Sequence, residues 1–170
     1  MNHGFLVSSP LGDMVLRAED DWLTGVFFVG QKHFPALTLM ADDLSAPRVI
    51  RQAREQLAEF FGGERREFTV PLRPRGTPFQ EQVWRELARI PYGEVVSYGA
   101  MARGMGLSPG HSRAVGMANG RNPICIILPC HRVIGASGGL TGYAGGMERK
   151  LALLKLENAI GVPELALNLA

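Results

Sequence analysis

The 170-residue chain is poor in cysteine, with Cys125 and Cys130 its only two. Two thiols make a disulfide framework and a cysteine-rich structural zinc site unexpected, so no bound metal is expected. The amino terminus "MNHGFLVSSPLG" has neither the charged start nor the long apolar run of a secretory signal. No apolar run approaches the roughly 18 residues of a membrane-spanning helix. These absences point to a reducing, cytoplasmic or nucleoid-associated setting with no membrane partner. Acidic residues are also missing locally. None occurs between Glu94 and Glu148, an interval that holds Arg103, Arg113, Arg121, Arg132, His111 and His131. Such a stretch suits a surface facing a polyanion, or a pocket lining with few charges; composition alone leaves both open.

What is present is ordinary for a globular protein: 46% hydrophobic and 20% charged residues. A chain of this length can bury a sizeable core without staples. "GFLVSSPLGDMVLRAEDDWLTGVFFV" has strand-like segments cut by turn residues, the pattern of a hairpin or meander. "APRVIRQAREQLAEFFGG" places Val49, Ile50, Ala53, Leu57, Phe60 and Phe61 at helical spacing before a glycine pair. "REFTVPLRPRGTP" reads as a strand and then a Pro/Gly-rich connector, which puts a domain boundary near Arg75. Residues 1–75 are expected to form a small α/β domain with a partly antiparallel sheet. Residues 76–170 are expected to form a second, mainly helical domain.

That second part opens with "TPFQEQVWRELARI". Thr77 is its expected N-cap, Pro78 its first helical residue, and Glu81 is placed for a capping box or the first turn. Phe79, Val83, Leu87 and Ile90 form its apolar face. "SYGAMARGMGL" and "SPGHSRAVGMANG" follow as two short helices around a glycine-containing turn, the grammar of a helix-turn-helix. Ser112 and Gly116 are four apart, as are Ala114 and Ala118. Small side chains at that spacing serve helix packing or close approach to a DNA groove, with Arg113 as the long side chain reaching into it.

The apolar "ICIIL" (124–128) comes next and reads as a strand or its end. It runs into Pro129, Cys130, His131 and Arg132. A thiolate is the strongest side-chain nucleophile near neutral pH and needs a base or positive field to form. Neighbours on a strand point to opposite faces, so a Cys130–His131 partnership needs a turn or a bridging water. Cys125, inside the apolar run, reads as core. Glu157 shares a helical face with Lys150, Leu153 and Leu154, as a boundary residue or an inward orienter for His131. Asn122 reads as a turn former and Tyr98 as a half-buried tyrosine.

Together, "RAVGMANGRNPICIILPCHRVIG" and "GLTGYAGGMERKLALLKLE" resemble the signature of the 6-O-alkylguanine-DNA alkyltransferases, over about Gly76 to Asn158. The resemblance implies a ribonuclease H-like α/β amino-terminal domain and a mainly α carboxy-terminal domain with a winged helix-turn-helix. It implies single-turnover repair of duplex DNA. The alkyl group of a flipped 6-O-alkylguanine, with 4-O-alkylthymine as a second candidate, would pass irreversibly to Cys130. His131 would deprotonate Cys130 through a water, Glu157 would orient His131, and Asn122 would brace the turn. Tyr98 would donate to the base and crowd the adjacent phosphate. Arg113 would replace the flipped base, with Ser112, Ala114 and Gly116 on the DNA-facing helix. Val133, Tyr143, Ala144 and Gly145 would line the base pocket. No cofactor is implied, and the expected form is a monomer, with cooperative loading on DNA as the open alternative. Ala144 stands where some relatives have serine, and His111 and Ser112 where some have two alanines. A non-catalytic DNA-binding module and a turnover thiol hydrolase are the competing readings. The first predicts no thioether and the second predicts multiple turnovers.

Overall fold

The computed structural model describes residues 3–41, 45–135 and 143–159. Three strands form an antiparallel meander: β1 (His3–Val7), β2 (Met14–Glu19) and β3 (Trp22–Phe28). A fourth, β4 (Thr38–Ala41), joins parallel to β1, giving the order β3-β2-β1-β4. The tight turns of the meander use Gly12 at φ 113° and Asp20 at φ 53°, conformations that glycine and short polar residues tolerate. Helix α1 (Arg48–Phe61) packs on β2 and β3. Val49, Ile50, Ala53, Leu57 and Phe60 are buried as its periodicity predicts, while Phe61 is half-buried. Burying each large apolar side chain stabilises the fold by about 1.5–3 kcal/mol.

The strand expected within 66–72 does not form. That stretch is extended and makes a single parallel bridge, Leu23 to Leu72. Leu23 N–H donates to Pro71 O and Arg73 N–H to Leu23 O, both at 2.9 Å. Pro71 and Pro74 lack the donors a longer ladder requires.

Helix α2 (Pro78–Leu87) begins with a capping box closed by Gln80, not Glu81. Gln80 N–H donates to Thr77 Oγ1, and Thr77 N–H donates to Gln80 Oε1. Glu81 sits in the first turn, where its charge suits the helix dipole. Val83, Leu87 and Ile90 are buried, and Phe79 is half-buried. Trp84 is buried too, and its Nε1–H donates to Ala118 O at 2.9 Å. This bond ties α2 to α4.

Helices α3 (Tyr98–Gly104) and α4 (Ser112–Gly120) form the helix-turn-helix. Ser97 caps α3 by accepting from Ala100 N–H, and Gly106 turns the chain at φ 78°. A 3-10 turn at Pro109–His111 leads into α4. A short parallel pair, β5 (Val96–Ser97) with β6 (Val133–Ile134), lies beside the motif. Gly138, Gly139 and Gly142 of the glycine-rich segment lie outside the described residues. Helix α5 (Met147–Leu156) closes the described chain, with Lys150, Leu151, Leu153 and Leu154 buried.

One hydrophobic core runs from the sheet to the helices, joining Phe28, Phe60 and Val26 to Trp84, Val115 and Leu153. The free edge of β3 is the seam. Besides Leu72 it receives the segment around Ile124, through Val26 N–H to Pro123 O (2.8 Å) and Cys125 N–H to Val26 O (3.1 Å). Arg149 adds a second tie: it donates to Leu11 O and Gly145 O and lies 4.5 Å over the Phe28 ring. The otherwise open edge of the sheet therefore holds the cysteine-bearing segment in place.

Candidate active site and nucleic-acid interface

Residues 124–128 are not a strand. After the bridge at Ile124 the backbone coils tightly. Ile127 N–H donates to Cys125 O across Ile126, which sits at φ 71°. A left-handed conformation is costly for a β-branched residue and is held only by its surroundings. The Asn122 carboxamide supplies much of that hold. Its Oδ1 accepts from Ile124 N–H, and its Nδ2 donates to Leu128 O at 2.8 Å and Ile124 O at 3.4 Å. Pro129 (φ −80°, ψ 66°) then makes an inverse γ-turn closed by Cys130 N–H to Leu128 O. Pro123 and Pro129, flanking the apolar run, break the ladder that a strand would need. Cys130–Arg132 follow as a 3-10 turn.

This coil buries Cys130, His131 and Arg132 together. Burial pushes the Cys130 thiol up to about 11, while the Asn122 amide and the Lys150 charge pull it back. The thiol is therefore protonated at neutral pH and needs a base. His131 is fully buried, with Nε2 2.6 Å from Glu157 Oε2. Desolvation lowers its pKa despite that carboxylate. A neutral ring donating Nε2–H to Glu157 leaves Nδ1 as an acceptor. Nδ1 has no hydrogen-bond partner among the described residues, so it is the free basic atom of the site.

Glu157 is the C-cap of α5, just past the helix, and is buried. Burial alone would raise its pKa. Hydrogen bonds from His131 and Arg132 outweigh that and hold it at about 2. Arg132 grips it bidentately, Nε to Oε1 and Nη2 to Oε2, both at 2.8 Å. Its remaining Nη1 donates to Ile90 O. Gly93 N–H also donates to Glu157 Oε1. The carboxylate is thus fixed as an anion that orients the imidazole but, already neutralised by Arg132, does not force it to charge.

Lys150 is a buried cation whose ammonium donates to Val133 O at 2.6 Å. Desolvation lowers it to about 8, and the nearby Cys130 opposes that shift. Asn119 donates from Nδ2 to Cys130 O at 3.3 Å. Tyr98 has its pKa raised, by burial first and then by Cys130, so its hydroxyl keeps its proton at neutral pH. Tyr143 is raised well above its ordinary range by burial and by Cys125 and Cys130. Its Oη has no hydrogen-bond partner among the described residues.

In front of this chamber lies a cleft of about 1000 Å³. Tyr98, Ser112, Arg113, Gly116, Tyr143 and Ala144 line it. Of the other sequence-derived candidates, Cys130, His131, Glu157, Asn122 and Val133 are buried and outside that lining. Ala114 is exposed on α4 outside the lining, and Gly145 faces a separate groove beside Leu11. Tyr98 and Tyr143 touch both regions, through the cleft wall and through the thiol's field. Gly116 faces the Tyr98 ring, which lies 3.7 Å from where a Cβ would stand. Sequence reasoning missed Arg132, Lys150 and Asn119 as members of the site. Arg132, adjacent to the Cys–His pair and within the acid-free stretch, left a signal, as did Lys150 through its helical face shared with Glu157.

Fold and site define a two-part protein in which a helix-turn-helix fronts a buried cysteine followed by a buried histidine that is bonded to a carboxylate. The family model for the ribonuclease-like domain of 6-O-methylguanine DNA methyltransferase matches residues 3–74. The model for the DNA binding domain of the same family matches residues 78–159. The chain belongs to this methylated-DNA–protein-cysteine methyltransferase family. It is 51% identical over 151 residues to the protein of that name from Mycolicibacterium paratuberculosis, covering 89% of each. It is 48% identical over 167 residues to the one from Mycobacterium bovis, covering 98% of this chain and 99% of the relative. The structure of Mycobacterium tuberculosis OGT in complex with DNA superposes with a TM-score of 0.82 at 46% identity, covering 97% of this chain and 98% of that one.

Proposed function

We propose that this protein repairs alkylated duplex DNA by moving the alkyl group of a 6-O-alkylguanine onto Cys130, once per molecule. The observation that carries the reading is the buried Cys130 thiol beside a neutral His131, whose free Nδ1 and anchored Nε2 suit a general base. A bridging water carries the Cys130 proton to His131 Nδ1. The sulfur attacks the alkyl carbon in line, the S–C bond forms, and the C–O6 bond breaks with its electron pair going to guanine. Tyr98, which holds its proton, gives it to the departing base. The product is a thioether, which water does not cleave, so each chain acts once.

Arg113 is exposed on α4 at the cleft. In this reading it fills the stack that the flipped base leaves. Ser112, Ala114 and Gly116 let the helix approach the groove closely. Val133, Tyr143 and Ala144 bound the base. We divide the chain into working domains near Arg75, and take the active form as a monomer in the cytoplasm or on the nucleoid. Alkylated thymine and cooperative loading on DNA belong to the same proposal as extensions.

A duplex carrying radiolabelled 6-O-methylguanine tests the reading. Label should pass to protein in a single-turnover endpoint, with one methyl added to the Cys130 peptide by mass spectrometry. Uptake by Cys130→Ser, or none by the unmodified protein, overturns it. Multiple turnovers on a small ester would point to a hydrolase instead.

A further inference from the structure

The cleft in front of the thiol is not made by the helix-turn-helix alone. Lys32 and His33, from the turn between β3 and β4 in the amino-terminal sheet, line its opposite side. This turn is built firmly. Lys32 N–H donates to Ala144 O at 3.0 Å, on the wall of the same cleft. The buried Gln31 side chain accepts from Phe28 N–H at 2.8 Å, and Phe34 N–H closes back onto Gln31 O. His33 sits at φ 62°, a left-handed conformation that histidine tolerates better than most residues, and is exposed.

The charge of the cleft is one-sided. Its lining includes Lys32, His33, Arg103, Arg113 and Arg121, and no Asp or Glu among the described residues. Surface cations elsewhere do find carboxylates: Arg75 with Glu19, Arg65 with Glu59, Arg89 with Glu86. Arg121, just past the end of α4, and Lys32 both lie close enough to His33 to help desolvation lower its pKa. Bringing such groups together from two parts of the fold costs repulsion, and that cost is recovered only when an anion sits between them.

We propose that the β3–β4 turn is a second nucleic-acid lip, in which Lys32 and His33 act with Arg121 across the cleft to hold a backbone phosphate of the strand from which the base is turned out. The identity of the anion as a DNA phosphate rests on the function proposed above; the two-sided cationic cleft does not. In this arrangement α4 enters the groove, while the amino-terminal sheet steadies the backbone beside the vacated position. Because Lys32 is bonded to Ala144, phosphate contact and pocket wall move as one unit.

The test is the salt dependence of binding to a DNA duplex carrying one 6-O-methylguanine, read by fluorescence anisotropy for the full chain with Cys130→Ser in every variant so that no transfer occurs. Each phosphate contact contributes about 0.9 to the slope of log affinity against log salt. Lys32→Gln and Arg121→Gln should each lower the slope, and because the two share one phosphate the double variant should lose about one unit in all. Lys32→Arg should restore it. Lys155→Gln, an exposed lysine outside the cleft, should leave it unchanged. An unaltered slope in Lys32→Gln overturns the proposal, as does an equal loss in Lys155→Gln, which would reduce the effect to net charge. Alkyl transfer by the unmodified protein from a duplex carrying labelled 6-O-methylguanine is measured in parallel. If that fails while the slopes change as expected, the alkyl-transfer reading falls and the phosphate lip stands.

Discussion

The buried chamber and the open cleft handle charge in opposite ways. In the chamber, Glu157 receives His131, both prongs of Arg132 and the Gly93 amide, and Lys150 is bonded to Val133 O. In the cleft, cations stand together with no carboxylate in the lining among the described residues. The chamber must satisfy its charges internally, because a buried unpaired ion costs several kcal/mol. The cleft can leave its charges to water until a polyanion arrives. Defects in the chamber should therefore be large and non-additive. Defects in the cleft should be smaller, additive and salt-dependent.

Glu157→Gln should break the chamber hardest. It leaves Arg132 buried without its counter-ion, so we expect a loss of about 3–5 kcal/mol in chemical denaturation. An unchanged midpoint would show that the network does not carry the fold. The same carboxylate sets an acid limit. Its folded pKa is depressed to about 2, so its stabilisation is complete above its ordinary value near 4.5 and is lost as pH falls toward 2. Urea titrations across that range should show the fall in the native chain and not in Glu157→Gln.

Arg113→Ala probes the cleft next. If the side chain substitutes for the flipped base, its loss costs a few kcal/mol of unstacking, about a hundredfold in the single-turnover rate on duplex. The rate on free alkylated base should be unchanged. Equal losses on both substrates would contradict that role.

Lys150→Met returns to the chamber with a smaller effect. Removing the cation near Cys130 should raise the thiol pKa by about one unit and slow transfer about tenfold. Lys150 is held at about 8, so the native chain's advantage should be full below that pH and shrink above it. A constant rate ratio from pH 6 to 9 would assign Lys150 to packing alone. Thr77→Ala is the smallest, away from both regions. Loss of the α2 capping box should cost about 1 kcal/mol in thermal stability, with rate and salt slope untouched.

The legible parts of the fold were those governed by local rules. The meander, the α1 face and the Thr77–Pro78 helix start follow from periodicity and capping chemistry. Two strands were misread, at 66–72 and 124–128, because apolar composition outweighed the prolines that bound them. Of the two places open to Glu81, the first turn holds, and the capping box is closed by Gln80 because Gln80 occupies the third helical position. Of the site, the thiol, its histidine and the distant carboxylate were legible through motif and helical spacing. Arg132, Lys150 and the amino-terminal turn were not, since a long cation reads as surface until burial is known.

The sequence by itself determined which groups stand together: a cysteine beside a histidine, a helix-turn-helix just upstream, and an interval free of acid. Tertiary structure alone decided how they meet. The free edge of β3 grips the Pro123–Cys125 segment, and Asn122 holds Ile126 in a conformation it would not adopt alone. That coil turns Cys130 and His131 inward together, where a strand would have sent them to opposite faces. The physical reason is reach. Propensity and motif act over a few residues, whereas burial, ion pairing and the shared cleft join Lys32 to Ala144 and His131 to Glu157 across distances that only the folded chain brings into contact.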